Sequence, residues 1–125
     1  MPGTQDHRLK AAENEAFAGG VASNGAAHLD WAVTGYFYAA LHHVTALLHS
    51  LGCQDGDLRT HARRQRQIAT RLPAEQQLYD DYRQLQDDSE AARYDCRAFS
   101  EQDVNQLIAQ HFAPLKTRVQ ALLPP

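Results

Sequence analysis

The sequence predicts an all-α protein, an antiparallel up-and-down bundle of about five helices that forms a single domain over residues 1–125. The strongest observation is the stretch Trp31–Leu51, which contains no Asp, Glu, Lys, Arg or Pro in 21 residues. A helix that is apolar on most of its circumference packs at the centre of a bundle or at a subunit interface. In the neighbouring segments, apolar residues recur at spacings of three and four, which is typical of amphipathic helices that could cover the central one.

The composition limits the classes to which the protein can belong. Its 125 residues suit one domain with a core of ordinary size. The net charge of -3 argues against binding nucleic acid or a membrane through overall charge. Cys53 and Cys96 are too few for a disulfide framework, so a cytoplasmic location is expected. The three His, two Thr, two Tyr and one Ser of the central stretch argue against a membrane span, and the early charges argue against a signal peptide.

The first two helices are predicted at about Asp6–Ser23 and Ala27–Leu51. Asn24 and Gly25 separate them, because both residue types tolerate the left-handed backbone that ends a helix. The second helix has an aliphatic stripe for the core and a second, aromatic and polar stripe in which Gly35 would let another backbone approach closely. That second stripe comprises Trp31, Gly35, Tyr38, His42, Thr45 and His49. The apolar residues on one side of the first helix are Leu9, Ala12, Ala16, Phe17 and Val21.

The rest of the chain predicts three more helices. The third, Thr60–Leu72, is basic, whereas the fourth, with Pro73 in its first turn, is acidic away from its apolar face. Adjacent helices of opposite charge need no ligand, so their pairing, in the same subunit or with the partner, is favoured, and a phosphate-binding arginine face stays open as the alternative. Ser100 begins the fifth helix with a capping box, and Pro114 should break or kink it near His111–Ala113. The basic set is Arg59, Arg63, Arg64, Arg66 and Arg71; the acidic set is Asp80, Asp81, Asp87, Asp88 and Glu90; the apolar face is Leu78, Tyr82, Leu85, Ser89 and Ala92.

Six short motifs stand in an order and spacing that is moderately specific for a known family. They are Asp30-Trp31-Ala32-Val33, Tyr36–His42, Thr60-His61, Leu72–Glu75, Ser89–Tyr94 and Ser100–Val104. With them, most of the chain resembles the HEPN (higher eukaryotes and prokaryotes nucleotide-binding) domains. The resemblance implies a four- or five-helix bundle, usually a homodimer, in prokaryotic toxin–antitoxin, defence or stress systems. Many such domains are metal-independent ribonucleases, and others are binding scaffolds or inactive partners of a small nucleotidyltransferase.

One departure from the family pattern affects the expected activity. Catalytic HEPN domains carry an Arg followed, after four to six residues, by a His, and no Arg–His pair of this chain has that spacing. The corresponding stretch, Arg93–Phe99, has arginines and no histidine. The expected function is therefore a dimeric module that binds RNA, a nucleotide or a partner protein. The alternatives are a divergent ribonuclease and a purely structural partner of a nucleotidyltransferase or antitoxin.

Two sets of side chains are candidates for the functional chemistry. His61 and Arg93 could bind an RNA phosphate or, in a ribonuclease, move a proton and stabilise the charge on the phosphorane. Alternatively, His61 caps its helix and Arg93 ties two helices together. His42, one turn after Tyr38, could face a cleft, although a half-buried position at a helix or dimer interface is favoured. The expected binding residues are Tyr38, His42, Arg63 and Tyr94.

No metal or cofactor is expected, since the His and Cys spacings of zinc sites and the glycine-rich phosphate loops are absent from the sequence. The homodimer interface is expected on the second helix together with the fourth or fifth. Gly35 would allow a close approach there, and Trp31 and Tyr38 belong to the aromatic types enriched at interfaces.

Overall fold

The computed structural model describes residues 2–24 and 28–124. Its helices are α1 (Thr4–Ser23), α2 (Leu29–Ser50), α3 (His61–Arg71), α4 (Gln76–Tyr94), α5 (Glu101–Leu107) and α6 (Ala113–Leu122). A 3₁₀ turn spans Asp55–Leu58, and a π-helical segment, Ile108–Phe112, connects α5 to α6. Since α5, the π segment and α6 form one continuous helix, the described residues confirm the all-α bundle of about five helices, with no strand among them.

The central position predicted for α2 is confirmed. It contacts all the other α-helices, and Phe37, Val44 and Leu47 on its aliphatic stripe are fully buried. Within the described ranges, no helix combines the length and apolar character that crossing a bilayer requires.

α1 packs on α2 mainly through Ala11 and Ala18, which lie outside the predicted apolar side. Ala11 and Ala18 are fully buried, whereas Leu9 and Phe17 are 56% and 54% exposed. Small residues decide this orientation, because they let two helix backbones approach: a Cβ atom added to Gly35 would lie 2.9 Å from the Ala18 Cβ atom. The close approach predicted at Gly35 is thus made by α1 of the same chain. Gly35 is therefore buried within its own chain, and the expected homodimer interface has no support from this close approach.

The structure confirms the predicted end of the first helix at Ser23, but it differs in the conformation that ends this helix and in the start of α4. Asn24 has a φ of -89°, so it does not adopt the left-handed conformation, while Gly25 and the predicted start at Ala27 lie outside the described residues. Pro73 lies in the turn before α4 and not in the first turn of the helix, which begins at Gln76. The residue before a proline avoids the α region, and Leu72 accordingly has a φ of -129° and a ψ of 53°.

α4 places its five predicted apolar-face residues in the core, as expected. Two of its acidic residues are also buried, contrary to the prediction of acidic faces in solvent: Asp81 is 1% and Asp88 9% exposed. Each has hydrogen-bond donors, which burial of a carboxylate requires. Asp81 accepts from Gln77 Nε2 at 3.0 Å and from His111 Nδ1 at 2.9 Å.

The disruption predicted before Pro114 takes the form of the π segment. A proline ring inside an α-helix lacks an N–H and collides with the carbonyl four residues earlier. The wider π turn of Ile108–Phe112 changes the backbone hydrogen-bond pattern before Pro114. Pro114 then lies in the first turn of α6. The capping box predicted at Ser100 is present, since its hydroxyl accepts from the Asp103 N–H at 3.0 Å.

Candidate binding site

A buried arginine organises the contact between α3 and the rest of the bundle. Arg64, which is 7% exposed, donates from Nε to the Tyr82 hydroxyl at 3.0 Å and from Nη1 to the Leu58 carbonyl at 2.7 Å. Its Nη2 lies 2.7 Å from the Nδ1 atom of His61. The 3₁₀ turn, α3 and α4 therefore meet at one guanidinium, whereas the sequence analysis treated Arg64 only as one member of the basic set of α3.

Arg64 fixes the protonation state of His61. A guanidinium has donors only, so Nδ1 of His61 must accept, and the proton of the neutral ring lies on Nε2. Burial, followed by the charges of Arg64 and Arg93, lowers the pKa of His61. His61 therefore presents an N–H donor at Nε2. It does not cap α3, because the cap is Thr60, whose hydroxyl accepts from the Arg63 N–H at 3.1 Å.

Arg93 lies between two tyrosine rings at the end of α4. Its Cζ atom is 5.6 Å from the centre of the Tyr38 ring and 5.1 Å from that of Tyr94, distances at which a cation is attracted by an aromatic face. Nη1 donates to the Tyr38 hydroxyl at 3.0 Å, and Nε donates to the Ser89 carbonyl at 3.3 Å. Tyr94 is 73% exposed.

Together, Tyr38 from α2, His61 from α3, and Arg93 and Tyr94 from α4 form what we call the Arg93 site. Three helices thus bring together four of the six residues that the sequence analysis singled out. The ring of Phe37, whose centre lies 5.6 Å from that of His61, packs beneath the site. The arrangement offers a cation, an exposed aromatic face and a neutral N–H donor.

His42 belongs to a different place, a histidine cluster between α1 and α2. Its ring stacks on that of His7, with centres 5.3 Å apart and Nδ1 atoms 3.1 Å apart. The ring of His49 lies 6.4 Å from that of His7. The half-buried position favoured for His42 is the one observed. Across residues 2–24 and 28–124, no group of three or more His, Cys, Asp or Glu side chains is arranged to hold a metal ion.

The histidine cluster predicts a loss of stability in mild acid. Burial, followed by the charges of His7 and Lys10, lowers the pKa of His42 to about 4 from 6.5. Between pH 6.5 and about 4, the folded protein binds fewer protons than the unfolded chain. The neutral His42 therefore makes its whole contribution to the free energy of unfolding above pH 6.5, and this contribution is lost as the pH falls towards 4. A shift of one pKa unit corresponds to about 1.4 kcal/mol, and partial exposure of the ring reduces this value. The free energy of unfolding is therefore expected to fall by about 1–3 kcal/mol.

Urea unfolding at neutral and mildly acidic pH measures this loss. The variant His42→Gln should have a flatter dependence on pH than the wild type, whereas His28→Asn, which replaces an exposed histidine outside the cluster, should keep the wild-type slope. An unchanged slope in His42→Gln would show that His42 does not titrate as the geometry requires.

The ion pairing favoured between α3 and α4 is not made within the described part of one subunit, and pairing across to a partner subunit stays a prediction. Among the ion pairs of the described residues, none joins an α3 arginine to an α4 acid. The two helices are joined instead by polar contacts such as Gln65 Nε2 to Gln86 Oε1 at 2.6 Å and Arg83 Nη1 to Gln65 Oε1 at 3.2 Å.

Sequence reasoning missed Arg64, His7 and the buried Asp81–His111 pair. Asp81 carried a signal, because it lies three residues after Leu78 and beside Tyr82, on the face whose apolar residues predicted the core. Arg64 carried a weaker one: it precedes Ile68, the fully buried residue of α3, by one helical turn. His7 had no comparable signal, since it lies next to charged residues near the start of α1.

No known protein family, characterised protein or solved structure matched this chain when sequence and fold were compared.

Proposed function

We propose that this protein is a HEPN-like helical binding module that holds single-stranded RNA at the Arg93 site. The observation that supports the proposal best is the contact of the Arg93 guanidinium with the rings of both Tyr38 and Tyr94. A guanidinium has five N–H groups, and the Tyr38 hydroxyl and the Ser89 carbonyl take one each. Arg93 thus retains donors for a phosphate oxygen.

The neighbouring groups favour RNA among the possible ligands. Single-stranded nucleic acids bind where bases stack on aromatic side chains and phosphates meet cations. Tyr94, at 73% exposure, offers such a ring, and Arg93 offers the cation. A partner protein would use the same tyrosine and arginine, so we treat protein binding as the alternative outcome of the experiment below.

The protonation of His61 favours binding over cleavage. A ribonuclease of the expected type needs a side chain that accepts the proton of the 2′-hydroxyl. His61 Nδ1 already accepts from Arg64, and Nε2 carries the proton of the neutral ring. His42, the other candidate, stacks on the ring of His7 in the contact between α1 and α2. The divergent ribonuclease is therefore the weaker hypothesis, with His61 and Arg93 as its catalytic pair.

The wider setting follows from the resemblance and is also proposed. We infer a cytoplasmic homodimer that acts in a prokaryotic toxin–antitoxin, defence or stress system, with a nucleotidyltransferase or antitoxin as a further possible partner. Both Cys53 and Cys96 are free thiols, which suits a reducing compartment.

Fluorescence anisotropy with a labelled single-stranded RNA of about ten nucleotides tests the proposal. The variant Arg93→Ala should bind about ten-fold or more weakly, because a charge-assisted hydrogen bond contributes about 1.5–3 kcal/mol. Arg8→Ala is the matched control, since Arg8 is exposed on α1, which contributes nothing to the Arg93 site.

Two outcomes would reject the proposal: no RNA binding by the wild type, or equal binding by the wild type and Arg93→Ala. Recovery of intact RNA after incubation without added metal is expected. Cleavage that is lost in His61→Ala and Arg93→Ala would instead establish the ribonuclease.

A further inference from the structure

A cavity lined by arginines lies beside the start of α3. Its volume is about 430 Å³, and its lining is Gly56, Asp57, Arg63, Arg66 and Gln67. Arg63 and Arg66 are exposed and, being three residues apart, are neighbours on the helix surface. Arg63 Nη1 donates to the Gly56 carbonyl at 2.8 Å, which holds that guanidinium against the cavity wall.

The charges around this cavity are unbalanced. None of the ion pairs of residues 2–24 and 28–124 includes Arg63 or Arg66. Asp57, the acid of the lining, faces its own 3₁₀ turn, where its carboxylate accepts from the Gln54 N–H at 3.4 Å. Two guanidinium groups at the rim of a concave surface are suited to phosphate groups.

The cavity and the Arg93 site lie on opposite sides of the same short stretch of helix. His61 and Arg63 are two residues apart, which places them about 200° apart around α3 and about one helix diameter, roughly 10 Å, from each other. Both residues belong to the first turn of α3, where free N–H groups attract anions, and the exposed Arg59 lies two residues before this helix. An RNA strand that reaches both must cross this end of the helix.

We propose that the RNA held at the Arg93 site continues across the start of α3 and places further phosphates on Arg63 and Arg66. This inference rests on the proposed function and adds a second contact region to it. A dinucleotide is then too short to occupy both regions, whereas a strand of about ten nucleotides contacts both.

The experiment compares the two RNA lengths over a series of salt concentrations. The double variant Arg63→Ala/Arg66→Ala should bind the longer RNA about ten-fold or more weakly. The slope of the logarithm of its binding constant against the logarithm of the salt concentration should become shallower by about one to two. Its affinity for the dinucleotide should be unchanged. Arg8→Ala/Lys10→Ala removes the same charge from α1 and should behave as the wild type.

The outcomes separate this inference from the proposed function. If Arg93→Ala weakens both RNA lengths but the double variant binds the longer one normally, the Arg93 site stands and the second region is rejected. If the wild type binds neither RNA, both are rejected. The single variant Arg66→Ala, which keeps the Arg63–Gly56 contact, provides the same comparison if the double variant does not fold.

Discussion

Replacing Arg64 with Met is expected to lower the free energy of unfolding by about 3–5 kcal/mol, as chemical denaturation would show. Arg64 is 7% exposed, and its guanidinium contacts Tyr82, Leu58 and His61 at once. A hydrogen bond to a charged group contributes about 1.5–3 kcal/mol, and the partners left behind would be buried without a donor. Met retains the length and apolar character of the stem.

The neighbouring Arg63→Met is the control, because Arg63 is exposed and a surface substitution changes stability by about 0.5 kcal/mol or less. Equal stability of the two variants would contradict the organising role of Arg64. A second readout uses His61: removing the nearby positive charge should raise its pKa towards the ordinary value, which an NMR titration of the folded variant detects.

Replacing Gly35 with Leu is expected to destabilise the bundle by about 3 kcal/mol or more, measured as a lower free energy of unfolding. Its Cβ atom would lie 2.9 Å from the Ala18 Cβ, 3.3 Å from Phe17 and 3.4 Å from the Ala18 backbone. Because backbone cannot move aside as a flexible side chain can, α1 must shift away from α2. The remaining atoms of the leucine enlarge that shift.

Gly20→Leu provides a matched comparison, because a Cβ atom at Gly20 meets nothing within 4 Å. That variant should be as stable as the wild type or slightly more stable, since leucine favours a helix by close to 1 kcal/mol relative to glycine. Sedimentation of Gly35→Leu should show an unchanged oligomeric state. A change of oligomeric state without loss of stability would return Gly35 to an interface between subunits.

The sequence predicted the elements whose apolar pattern is continuous. The uncharged run of α2 and the apolar face of α4 both identified core residues, since burial of a continuous stripe determines how such a helix must face. α1 was misoriented because its larger apolar residues, Leu9 and Phe17, are exposed. The close approach of Ala18 to Gly35 determines which side of α1 faces α2, although larger apolar residues lie elsewhere on the helix. This preference depends on the packing of two helices and cannot be read from the sequence of α1 alone.

The candidate site was predictable in its members but not in its chemistry. His61, Arg93, Tyr38 and Tyr94 were proposed from the sequence, and the fold places them together. Arg63 and Arg64 are the same residue type at adjacent positions, so composition could not tell that one is exposed and the other buried. Arg64 points into the bundle because α3 packs on Tyr82, and Arg63 at the neighbouring position points to solvent. The hydrogen bond from Arg64 then determines which nitrogen of His61 carries the proton.

The π segment also bears on how the length of this chain can vary. In an uninterrupted α-helix, Leu107 and Leu115 would lie about 80° apart around the axis, whereas one additional residue in a wide turn shifts the later part back by about 100°. Both residues are buried, so the π segment behaves as an inserted residue that keeps two parts of one helix in phase. A variant one residue shorter within Ile108–Phe112 is expected to retain the same core, provided that a residue other than proline replaces Pro114.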